Sequence, residues 1–226
     1  MIADVIESLK KQLGAVSLMA VSKTRTLDEV RRAVECGQRL FGENHVQEIE
    51  AKFAPGAGLP SFVRCEMIGH LQSNKVRKAV MYASRIDSVD SVGLALKISD
   101  EALRQGKVMP VLLEVNCSGE DAKTGFSPDT ILSAADGIRR LPGIRIEGFM
   151  TVGPVLCTVG TETWKQKTRS AFRDLRAIRD EAVKKWPGDN MCELSMGMSH
   201  DWEIAVEEGS TMVRIGTMIF GERNYG

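Results

Sequence analysis

No stretch of the chain is apolar for the roughly 20 residues a membrane-spanning helix needs, so no membrane partner is expected. Neither sign of charge is in excess. Lys and Arg total 30, as do Asp and Glu, which removes the electrostatic case for nucleic acid or a membrane surface as the main partner. The cysteines (Cys36, Cys65, Cys117, Cys157 and Cys192) are odd in number, scattered and never in a C-x-x-C pair. That argues against a disulfide framework and a zinc site, and it fits a reducing cytoplasm. Only His45, His70 and His200 are present, without metal-ligand spacing, so no metal is assigned. The N-terminal Met-Ile-Ala-Asp-Val-Ile-Glu-Ser is broken by charge and is not expected to be a signal peptide. Gly119-Glu-Asp-Ala-Lys-Thr-Gly125 lacks P-loop spacing, so no nucleotide cradle is assigned.

What the chain does have is alternation. Short apolar runs at 16–22, 39–42, 64–69, 84–88, 109–116, 144–151, 191–196 and 212–216 read as strands. Helix-period segments lie between them, at about 26–36, 44–53, 73–82, 91–104, 128–140, 163–185 and 201–208. Thr26 with Glu29 forms a capping-box pattern, and Gly37 and Gly209 mark helix stops. Ser127-Pro128 reads as an N-cap followed by proline at the first helical position. Residues 2–13 place Ile2, Val5, Ile6, Leu9 and Leu13 at helical spacing. Strands alternating with helices need parallel pairing, and eight such units favour a closed (β/α)8 TIM barrel over an open sheet. One domain over 1–226 is expected, with residues 152–162 as a longer loop over the active face.

Function in a barrel gathers at the C-terminal strand ends. The polar residues there include Lys23, Glu43-Asn44-His45, His70, Asp87 with Asp90, Asn116, Thr151, Ser195 to Ser199, and Gly216-Thr217. Lys23 shares a strand face with Met19 and Val21. An inward, partly desolvated lysine has a lowered pKa and is suited to attack a carbonyl; the alternative is a lysine reaching out to solvent. Arg214 lies inside the last apolar run. It is either a buried ion pair or a donor to a ligand such as a pyridine nitrogen, which a permanently charged guanidinium would leave unprotonated. Gly216-Thr217, Ser195 and Ser199 suit a phosphate between the last two strands, and Ser199 also reads as the cap of the next helix. An amine, a charged donor and a phosphate cradle together point to pyridoxal 5'-phosphate.

Seven ordered motifs carry a resemblance: Ala20-Val-Ser-Lys-Thr24, Phe41-Gly-Glu-Asn44, Ile68-Gly-His-Leu-Gln-Ser-Asn-Lys75, Asp121-Ala-Lys-Thr-Gly125, Gly148-Phe-Met-Thr151, Leu194-Ser-Met-Gly-Met-Ser199, and Gly209 to Thr217 with Ile219-Phe-Gly221. In these the chain resembles the pyridoxal phosphate homeostasis protein family, whose fold is similar to the N-terminal barrel of alanine racemase. The resemblance implies a fold-type III pyridoxal phosphate barrel. It implies Lys23 as the lysine of the internal aldimine and Ser195, Ser199, Gly216 and Thr217 at the phosphate. It also implies Arg214 at the pyridine nitrogen, Asn44 and Met196 lining the ligand, and Lys123 as a second lysine in transfer. His45 stands where a tyrosine is common, and the N-terminal helix is shorter than usual for the family.

The resemblance thus implies a cytoplasmic, monomeric pyridoxal phosphate carrier with little or no catalysis, whose recipients are apo pyridoxal phosphate enzymes. The competing readings are a small racemase or lyase of the same fold type, and a phosphosugar barrel enzyme without cofactor. A racemase needs an acid/base group on each face of the cofactor. Tyr82 and Tyr225 are the only tyrosines, neither at an expected strand mouth, and the β domain that follows the barrel in alanine racemase has no counterpart before Gly226.

Overall fold

Short apolar strands cannot satisfy their own backbone, and burial on both faces leaves only neighbouring strands as partners. In the computed structural model, which describes residues 2–120, 123–155 and 161–222, they pair all the way round. The elements run α1 (Ile2–Leu13), β1 (Ser17–Val21), α2 (Leu27–Glu35), β2 (Leu40–Glu43), α3 (Val46–Phe53), β3 (Arg64–Met67), a 3-10 turn (Ser73–Lys75) and α4 (Val76–Tyr82). They continue through β4 (Arg85–Val89), α5 (Val92–Arg104), β5 (Met109–Glu114), α6 (Ile131–Ile138), β6 (Ile144–Met150) and α7 (Thr161–Lys185). The last are β7 (Glu193–Ser195), α8 (Trp202–Glu207), β8 (Met212–Ile215) and α9 (Thr217–Phe220). The eight strands form a closed parallel barrel in sequence order, β8 returning to β1 with Met19 opposite Arg214. No described helix is long and apolar enough to cross a membrane.

The main core lies outside the barrel, where Leu18, Ala20, Phe41 and Val213 pack among helix residues such as Val30, Ala33 and Ile49. The alternate residues point inward. Met19, Leu40 and Met212 form a small apolar layer with Ile68 against it. Beside that layer Arg85 is buried and salt-bridged to Glu66 at 2.9 Å, Asp87 at 2.8 Å and Glu147 at 3.3 Å. Burial opposes the Arg85 charge, but Asp87 and Glu66 outweigh it and raise its pKa. Asp87, expected at the mouth, is therefore part of an interior ion cluster.

α9 is too short to cover β8 and β1, and α1 packs against α9, α2 and β1 to close that side. The capping box holds: Glu29 N donates to Thr26 Oγ1 and Thr26 N to Glu29 Oε2. The cap expected at Ser127 is displaced. Ser127 opens a turn in which Thr130 N and Ile131 N both donate to its carbonyl, and α6 starts only at Ile131. Asp121, Cys157, Gly160, Asn224 and Tyr225 lie outside the described residues.

The turn after β1 is tied to β2 and α3 by a buried network. Ser22 Oγ donates to Glu43 Oε1 at 2.7 Å. Lys52 Nζ donates to the same oxygen at 2.9 Å, to Ser22 O at 2.8 Å and to Glu48 Oε2 at 2.6 Å. Thr24 N donates to Glu48 Oε2 at 2.7 Å. Thr24 holds φ +64°, a region disfavoured for a β-branched residue, and these outside partners reinforce the turn's own bond from Arg25 N to Ser22 O at 3.0 Å. Burial pushes the Glu43 carboxyl up to about 7, against the stabilising effects of Lys52 and Ser22.

Two predictions follow from this packing. A Cβ at Gly143 would stand 2.1 Å from the Ser99 carbonyl oxygen, whereas one at Gly137, inside α6, meets nothing within 4 Å. Gly143→Ala should cost about 2 kcal/mol or more, and Gly137→Ala should gain about 0.5–1 kcal/mol, both read by urea unfolding. Glu43 provides the second. Its folded pKa lies above the ordinary 4.5, so the folded state binds more protons than the unfolded one between these values. Its contribution is full at low pH and is lost as pH rises through 7. Relative to Glu43→Gln, the wild type should lose about 3 kcal/mol between about pH 4.5 and about pH 8. A difference that stays flat with pH would contradict the buried carboxyl.

Candidate functional site

Barrel closure brings the turn after β1 beside the turn after β8. Between them opens a cavity of about 360 Å³, lined on its polar side by Lys23, Asn44, Ser199, Arg214, Gly216 and Thr217. These are six of the eight residues singled out from the sequence. β1 ends at Val21, so Lys23 sits in the following turn rather than on the strand, and both residues line the cavity. Asn44 follows β2 directly, and Gly216 leads into α9. A Cβ at Gly216 would be 3.2 Å from the Val21 carbonyl oxygen, tighter than a side chain there finds comfortable. The opening amides of a helix have no partner within it, and at α9 they begin beside the cavity.

Arg214 is buried on β8 and reaches inward. Its Nη1 donates to Ser195 Oγ at 2.7 Å and its Nη2 to Thr151 O at 2.8 Å. No carboxylate of the described residues forms a salt bridge with it. Burial lowers its pKa, opposed by Asp87, Asp201 and Glu114 at longer range, and a guanidinium stays charged under such a shift. The charge is oriented by two neutral acceptors while the residue remains exposed to the cavity.

Ser195 and Met196 are not brought to the cavity wall. Ser195 is fully buried on β7 behind Arg214, and Met196 lies in the main core, its carbonyl accepting from Ser210 Oγ. Ser199 lines the cavity without capping α8. That helix begins after Asp201, whose Oδ1 accepts from Met198 N, so Ser199 comes two residues too early.

Arg25, His200, Met198, Val152 and Ile68 also line the cavity and were not singled out for it. Arg25 had a signal, since it follows Lys23 at the next alternate position. It also donates to the Gly221 carbonyl and stacks 5.9 Å over Phe220, tying the first turn to the last helix. His200 is exposed at the rim. Lys123 does not line the cavity. Its Nζ donates to Gly153 O at 2.8 Å and Ser118 Oγ at 3.1 Å and pairs with Glu120, next to the wall residue Val152. His70 pairs with Asp90 at 2.9 Å and borders a second cavity of about 540 Å³, which shares Asn44 with the first and also meets His45 and Lys75.

Among the described residues the cavity beside Lys23 presents an amine, two guanidiniums, an imidazole, an amide, hydroxyls and a glycine, with no carboxylate, thiol or phenol in its wall. Such a wall suits an anionic ligand that carries a carbonyl.

The family model for the N-terminal domain of alanine racemase matches residues 2–224. A pyridoxal phosphate homeostasis protein of Aquifex aeolicus is 38% identical over 212 residues, 94% of this chain and 89% of that protein. The structure of PipY from Synechococcus elongatus PCC7942 without PLP superposes with a TM-score of 0.90 at 37% identity, over 98% of this chain and 100% of that one. The structure of the same protein with PLP bound superposes at 0.87 and 36% identity, over the same shares. Alanine racemase of Clostridium difficile 630 has the same barrel, with a TM-score of 0.78 at 17% identity, over 99% of this chain but 57% of that one. Taken with the match along nearly the whole length, these likenesses mean that the chain belongs to the pyridoxal phosphate homeostasis protein family, on the barrel of the alanine racemase N-terminal domain.

Proposed function

We propose that this barrel binds pyridoxal 5'-phosphate at Lys23, holds it reversibly and releases it to apo-enzymes that need it. The observation that carries this reading is the cavity wall: among the described residues it brings one lysine amine together with two guanidiniums and no carboxylate, beside a glycine-opened helix start. The cofactor supplies an electrophilic aldehyde when bound. Lys23 Nζ would be the nucleophile that holds the aldehyde covalently and reversibly, so that an incoming amine could take its place. Gly216 and Thr217 would hold the phosphate with Ser199 beside them, Asn44 would line the ring, and Arg214 would hold the pyridine nitrogen. As a donor with no proton to give up, it leaves that nitrogen neutral and the ring a poor electron sink. Ser195 contributes by holding Arg214, and Met196 by packing behind the wall.

Weak catalysis is part of the same reading. Fold-type III enzymes share the barrel, but the wall has no tyrosine or cysteine among the described residues, and Tyr82 ends α4 away from the cavity. Because the protein gives the cofactor up whole, it needs no second base. A monomeric, cytoplasmic carrier is consistent with this role.

Borohydride reduction of the loaded protein followed by peptide mapping should place the pyridoxyl group on Lys23, and Lys23→Ala should lose the visible absorption band. A full-strength band in Lys23→Ala would overturn the assignment. Exchange of the α-proton of alanine in deuterated water should be far below an ordinary enzyme turnover of about 10 per second. Turnover at that rate would return the racemase reading to first place.

A further inference from the structure

We propose that Glu43, Lys52 and Glu48 are positioning residues for Lys23, holding its backbone from both sides so that its amine meets the ligand in one geometry. The inference rests on Lys23 being the attachment residue. Lys52 Nζ and Glu43 hold Ser22, through its carbonyl oxygen and its hydroxyl, and Glu48 holds the Thr24 amide. Lys23 is the residue between these two anchors.

The anchors come from different parts of the fold. Glu43 ends β2, while Glu48 and Lys52 lie one helical turn apart on α3. Lys52 joins them by donating to both carboxylates, so strand, helix and turn are fastened through one ammonium group. The turn needs fastening, because Thr24 is in the left-handed region at φ +64°. Arg25 N closes the turn by donating to Ser22 O at 3.0 Å and Thr24 Oγ1 donates to Lys23 O at 2.6 Å, and Glu48 adds the hold on the Thr24 amide from outside the turn.

The network is also more polar than stability alone asks for. Glu43 and Lys52 are buried, and Glu43 Oε2 has no hydrogen-bond partner among the described residues. A well-packed apolar pair of similar size is often at least as stable as a buried ion pair. What an apolar pair cannot do is grip a carbonyl on one side of Lys23 and, through Glu48, an amide on the other. Misplacement of an attacking group by about 1 Å can slow a reaction on the order of a hundredfold.

Lys52→Met removes the shared ammonium at similar volume, and the buried Glu43 can then take up a proton instead of remaining an isolated charge. Glu48→Leu removes the acceptor for Thr24 from a more exposed position, whereas Glu48→Gln keeps an acceptor oxygen. Three readouts decide the case. The first is the rate at which the visible band forms with pyridoxal 5'-phosphate. The second is binding of pyridoxine 5'-phosphate, whose alcohol cannot bond to lysine. The third is hydrogen exchange of the Thr24 amide in cofactor-free protein.

Lys52→Met and Glu48→Leu should slow band formation on the order of a hundredfold. Both should speed Thr24 exchange and leave the alcohol analogue's affinity unchanged, while Glu48→Gln behaves as wild type. Unchanged band formation in both disruptive variants would overturn the proposal, as would analogue binding that falls in step with the rate. If Lys52→Met does not fold, Glu48→Leu decides alone. A wild-type band in Lys23→Ala would instead refute the attachment site. The proposal would fall with it, whereas a lost band in Lys23→Ala beside unchanged band formation in Lys52→Met and Glu48→Leu would overturn the proposal alone.

Discussion

Pairing of the last strand with the first is the constraint on which the site depends. Ala20 lies opposite Ile215 and Met19 opposite Arg214, so the turn carrying Lys23 is delivered next to Gly216-Thr217 from the other end of the chain. In an open sheet these residues would lie at opposite edges. Closure also explains the use of α1. A four-residue α9 leaves the β8–β1 seam uncovered on the outside, and the N-terminal helix packs there. Loss of α1 packing would therefore be felt at the one joint that assembles the cavity.

The barrel interior carries two buried arginines in contrasting settings. Arg85 is surrounded by Glu66, Asp87 and Glu147, and its charge is consumed within the protein. Arg214 is given only a hydroxyl and a carbonyl, with carboxylates at longer range. A buried charge without a matched partner is costly, and a fold keeps one where something else supplies the remaining interaction. That contrast separates the arginine that fills the barrel from the one that faces the cavity.

Most of this was legible in the sequence because the relevant signals are periodic. Every strand fell within two residues of its sequence limits, and strand alternation put Met19 and Arg214 inside. Six of the eight site residues reach the cavity because strand-end position is itself a sequence signal in a barrel. What could not be read has a common cause. Lys52 ends an amphipathic helix, where a lysine is ordinarily solvated, and its burial exists only because β2 and the β1 turn converge on it. Asp87 looked like a mouth residue although Arg85 precedes it by two on the same strand face, because Glu66 and Glu147, which complete the interior cluster, come from other strands. Ser199 has the composition of a cap, but the Met198–Asp201 turn takes that place.

The central claim is that one cavity takes the cofactor with Lys23 at its aldehyde, Arg214 at its ring nitrogen and Gly216-Thr217 at its phosphate. A crystal structure of the protein soaked with pyridoxal 5'-phosphate tests all three at once. The account predicts continuous density from Lys23 Nζ into the ligand, a guanidinium nitrogen of Arg214 within hydrogen-bond reach of the pyridine nitrogen, and phosphate oxygens on the Gly216-Thr217 backbone. Density in the neighbouring cavity between His45 and His70, or a ring turned with its phosphate toward Asn44, would contradict it.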